Sequence, residues 1–87
     1  MKSETILQNT YFIKHGERTG QFLVVVDHDK EKSTFSILGL PELECLYIKE
    51  EELFKHISNN MIDFVEKLPE AVFNDCKTQF LIAEKGK

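Results

Sequence analysis

Residues 21–38 read QFLVVVDHDKEKSTFSIL. Gln21–Asp27 is built from β-branched and aromatic residues, which favour extended backbone. Side chains alternate along a strand, so Phe22, Val24 and Val26 share one face while Leu23 and Val25 share the other. A strand that is apolar on both faces is covered on both, which places it inside a sheet and not at its edge. Asp27–Lys32 follows as a charged turn. Ser33–Leu38 then resumes the extended pattern, with Phe35 and Ile37 alternating with Thr34, Ser36 and Leu38. Two such runs joined by a short polar connection form an antiparallel hairpin.

The pattern extends in both directions from this hairpin. Upstream, Thr10–Lys14 reads as a strand centred on Tyr11, Phe12 and Ile13, with Ile6 and Leu7 prolonging it backwards. Between it and Gln21 lies the loop His15–Gly20, which carries a glycine near each end for positions needing positive φ. Downstream, Gly39–Glu42 reads as a turn. Leu43–Ile48 reads as a fourth strand, in which Glu44, Leu46 and Ile48 alternate with Leu43, Cys45 and Tyr47. Short loops make consecutive strands antiparallel neighbours. The N-terminal half is therefore a four-stranded antiparallel meander, either open or curled into a small open barrel.

Beyond residue 49 the apolar spacing changes to a helical one. Glu50, Glu51 and Glu52 suit the first turn of a helix, where negative charge complements the dipole. Leu53, Phe54 and Ile57 give it an apolar stripe, and Ser58-Asn59-Asn60 ends it. Met61–Leu68 reads as a second short helix capped by Asn60, with Met61, Ile62, Val65 and Leu68 on one face. Ile62 and Phe64 also alternate, so a fifth strand is the competing reading of this segment. Pro69 suits the start of a last helix running to about Glu84. In it Val72, Phe73, Cys76, Phe80 and Ala83 recur at the helical period. Strands first and helices afterwards define an α+β class: one domain over residues 1–87, with two or three helices packed on one face of the sheet.

Composition agrees with a folded domain. The chain is 41% hydrophobic and 30% charged with 4 Gly and 2 Pro, which excludes a disordered tail or a low-complexity linker. The longest apolar run, Phe22–Val26, is far short of the roughly 20 residues a membrane-spanning helix needs. The first residues, MKSETILQNTYF, resemble neither a signal nor a transit peptide. A cytoplasmic location is therefore expected, with Cys45 and Cys76 reduced. Both sit among apolar neighbours, which points to buried structural thiols.

Candidate chemistry is sparse. Gly16 and Gly20 bracket GERTG, which lacks the lysine and hydroxyl of a phosphate loop. His15, His28 and His56 are scattered, and no HExxH, GxSxG or CxxC pattern occurs. Asp27-His28-Asp29 offers three ligand types in a row. Adjacent strand residues point to opposite faces, however, so a solvated turn is the simpler reading. Asp63, between Ile62 and Phe64, is the nearest approach to a lone carboxyl in apolar surroundings, but a place at the third position of a helix capped by Asn60 is the simpler reading.

Charge is uneven. In residues 1–40, Lys2, Lys14, Arg18, Lys30 and Lys32 balance Glu4, Glu17, Asp27, Asp29 and Glu31, so the whole net charge of −4 falls on the rest of the chain. There Glu42, Glu44, Glu50, Glu51 and Glu52 are opposed locally by Lys49 alone. These residues, with Tyr47, form the expected contact surface of a small protein-interaction or regulatory module without catalytic activity, cofactor or metal. Its partner is expected to be another protein or a second copy of the chain. The alternative is a small barrel that binds nucleic acid through the Lys14–Arg18 loop and the Lys30–Lys32 turn. Tyr11, Phe12 and Phe35 would then be stacking platforms. An acidic chain repels phosphate, which counts against that alternative.

Overall fold

The computed structural model describes residues 6–86. Five strands and two helices follow in the order β1 (Asn9–Ile13), β2 (Phe22–Asp29), β3 (Thr34–Leu40), β4 (Glu44–Lys49), α1 (Glu50–Ser58), β5 (Ile62–Lys67) and α2 (Glu70–Lys85). They form one antiparallel sheet in the order β4-β3-β2-β1-β5. The expected meander is thus present. Among the described residues the sheet stays open, with β4 and β5 as its two edges, and does not curl into a barrel.

Met61–Leu68 is mostly strand, so the helical reading of that segment is corrected. Its residues pair with β1, from Ile62 opposite Ile13 to Lys67 opposite Asn9. Without this partner the outer amides and carbonyls of β1 would lack strand partners, and satisfying them outweighs a weak helical spacing. Ile62 enters the core, and Phe64 meets the ring of Tyr11 edge-on at 6.1 Å. The register slips between Thr10 and Tyr11, leaving Val65 as an extra residue on β5. That is a β-bulge.

The two helices pack on opposite faces of the sheet, which corrects the one-face arrangement. One core gathers Leu23, Val25, Phe35, Ile37, Tyr11 and Ile13 under Leu53 of α1. The other gathers Val24, Val26, Leu38 and Cys45 under Phe73 and Phe80 of α2. Alternate residues of β2 supply both, so the doubly apolar strand sits in the middle of a three-layer domain. Leu53 and Phe35 are fully buried, and Phe73 and Phe80 nearly so. Cys45 is buried; Cys76 is only half-buried.

The β1–β2 connection depends on its two glycines. Gly16 has φ of +100° and Gly20 of +95°, conformations that a side chain disfavours. The Gly20 amide donates to the Ile13 carbonyl at 2.9 Å and so closes the loop.

Candidate functional site

β4 is the last strand of the meander, and the chain leaves it directly into α1, with Lys49 as the N-cap. No described strand lies on its far side. The Glu50 amide donates to the Ser33 carbonyl at 2.9 Å. Antiparallel pairs alternate between bonded and non-bonded, so Tyr47, opposite Ser36, belongs to a non-bonded pair. Its backbone N–H and C=O point away from β3, toward the open edge. The β3–β4 register runs without a slip from Gly39–Glu44 to Thr34–Lys49.

The six residues expected at the contact surface all lie on or beside this edge, though they are not six free groups. Glu42 is in the turn before β4 and accepts from Gln21 Nε2 at 3.1 Å. Glu44 opens β4 and accepts from Arg18 at 2.7 Å. Glu50 is half-buried, its Oε2 lying 3.3 Å from Nε2 of His28. The His28 ring stacks on Phe35 with centroids 4.7 Å apart. Glu51 and Glu52 are exposed in the first turn of α1. Tyr47 is 54% exposed. Its ring meets Phe80 edge-on, and its hydroxyl donates to the Glu84 carboxylate. That hydrogen bond, then burial and the nearby negative charge, pushes the phenol pKa up to about 12.

A cleft of about 480 Å³ lies beside the edge on the α1 face of the sheet. Its floor is apolar, with Leu23, Ile37, Leu46 and Ile48 among its residues. Met61, Glu52 and His56 wall one side, and the His15–Arg18 loop walls the other. A volume of this size falls in the range of small-ligand pockets. The sequence did not single out this cleft, because its walls come from every strand and only tertiary structure brings them together. A smaller hollow of about 340 Å³ lies on the α2 face between Asp27, Ser36, Lys77 and Glu84.

The remaining candidates take structural places. Asp29 accepts the Lys32 amide at 3.1 Å and shapes the β2–β3 turn. Asp63 pairs with Lys14 at 3.0 Å across β1 and β5. Among the described residues no three His, Cys, Asp or Glu gather as metal ligands. Tyr11 and Phe35 are buried at 4% and 0% exposure, so neither can stack on a base; of the three proposed platforms only Phe12 is partly accessible. No helix among the described residues is long and apolar enough to cross a membrane. No family model, curated protein or solved structure matches the chain.

Proposed function

We propose that this chain is a non-catalytic protein-interaction module that takes an extended, basic segment of another protein as an added strand on β4. The reading rests on the regular, outward-facing edge of β4, with carboxylates before and after it. Strand addition at a sheet edge uses main-chain hydrogen bonds for affinity. Natural proteins usually block such edges with bulges, proline or inward charges. β5 carries a bulge, and β4 does not.

Charge selects the partner. If β4 paired with a second copy about Tyr47, Glu44 of one chain would face Glu50 of the other, and the remaining glutamates would converge. Like charges directly opposite are destabilising. A basic segment meets the same carboxylates favourably, and such complementarity acts mainly on association rate.

The test uses the intact domain as bait at low ionic strength, beside a Tyr47→Pro variant. Proline is tolerated in an edge strand where its missing N–H faces solvent, so the fold should survive while the edge loses a donor. Binders retained by the wild type should be lost by Tyr47→Pro and should dissociate as salt rises. Identical sets of binders for the two baits would overturn the proposal.

A further inference from the structure

Resting on the β4 reading, we infer that the cleft under α1 is an anchor pocket, and that it selects partner segments in which an apolar, a basic and an apolar residue follow one another. β4 offers different chemistry on its two faces. Leu46 and Ile48 point to the α1 face and line the cleft. Tyr47 points to the α2 face, where its ring lies beside the Glu84 carboxylate. An added strand runs about 4.8 Å from β4 and repeats its alternation. The residue opposite Tyr47 therefore lies on the α2 face. A Lys or Arg there meets an accessible aromatic ring and a carboxylate, the two partners a cation prefers. The residues before and after it lie on the other face, alongside Leu46 and Ile48, where the apolar floor continues inward to Ile37 and Leu23.

The cleft is also unequal in its walls. Arg18 is engaged by Glu44, whereas Glu52 is an exposed carboxylate at the mouth. An acidic anchor would have to lie near Glu52, and a polar one would forfeit the apolar floor. An aliphatic side chain suffers neither loss.

The experiment titrates the domain with three acetylated, amidated heptapeptides, TKIRIKT, TKSRSKT and TEIEIET, by calorimetry at low salt. The central residue of each is placed opposite Tyr47. TKIRIKT should bind at least about tenfold more tightly than TKSRSKT, because burying one aliphatic side chain alone corresponds to roughly that factor. TEIEIET should show no binding. His56→Trp, a change at an exposed helix position on the cleft wall, should bring TKIRIKT down to the affinity of TKSRSKT. Equal affinities of the two basic peptides for the wild type, with both lost in Tyr47→Pro, would overturn the pocket and leave the edge reading standing. Binding that survives Tyr47→Pro, or no binding of TKIRIKT, would overturn both.

Discussion

Replacing Phe80 by Ala separates a packed α2 from one that merely lies against the sheet. Phe80 is 6% exposed, and its ring meets Tyr47 at a centroid distance of 5.9 Å and an angle of 79°. Phe→Ala at a buried site costs about 3–5 kcal/mol, cavity included. The lost edge-to-face contact accounts for about 0.5–1.5 kcal/mol of that loss. A domain of this length has roughly 4–13 kcal/mol in total, so about 4 kcal/mol is a large share. At roughly 4–8 °C per kcal/mol for a domain of this size, the melting temperature should fall by roughly 15–30 °C. Phe64→Ala is the control: the same chemical change on β5, where the ring is 57% exposed, should cost under about 1 kcal/mol. Circular dichroism melts and urea titrations of both variants read the two values. Equal losses, or a Phe80→Ala loss below about 1 kcal/mol, would refute the assignment of Phe80 to the second core.

Three further outcomes follow from the same geometry. The Tyr47 phenol pKa is pushed up to about 12 in the folded state, so its contribution to stability is complete below about pH 10 and fades between about pH 10 and 12; absorbance titration should show Tyr47 ionising late, and Glu84→Gln should bring it earlier. Burial first, and Asp75 second, push the Cys76 thiol pKa up, while Cys45 donates to the Phe80 carbonyl at 3.3 Å; native labelling by a thiol reagent should be slow at both, with Cys76 reacting first, and a faster Cys45 would contradict its burial. Gly20→Ala places a side chain at φ of +95° and should cost about 1–3 kcal/mol in urea unfolding, although nothing lies within 4 Å of the added carbon; an unchanged midpoint would mean that the loop relaxes freely.

The hairpin 21–38 was legible because its signal is local: a two-residue period, a charged turn and β-branched residues. The same stretch held the layer order too. Valines on both faces of β2 require cover on both faces, and one helix per face provides it, whereas helices on a single face would leave Val24 and Val26, or Leu23 and Val25, in water. β5 was harder, because its strand form depends on the unpaired edge of β1, some fifty residues away. One local sign was present: Pro69 disfavours helical backbone at Leu68. The edge position of the acidic segment followed from β4 being last in the meander. The engagement of Glu50 by His28 and of Glu44 by Arg18 did not, because both partners arrive from distant loops and strands.

Among the described residues the sheet has two open sides, and they resist growth by different physics. On β5 the obstacle is shape: the extra residue at Val65 breaks the spacing that a regular incoming strand needs. On β4 the obstacle is mutual repulsion of carboxylates, which salt attenuates as the screening length shrinks from about 10 Å at 0.1 M to about 3 Å at 1 M. Concentrated brine should thus weaken one barrier and leave the other intact. Head-to-tail stacking of copies, which joins β4 of one to β5 of the next and has no natural end, stays blocked at every ionic strength. Pairing of β4 with β4 is two-fold and closes on itself. Salting this protein should therefore yield a discrete pair at most, and never a fibre.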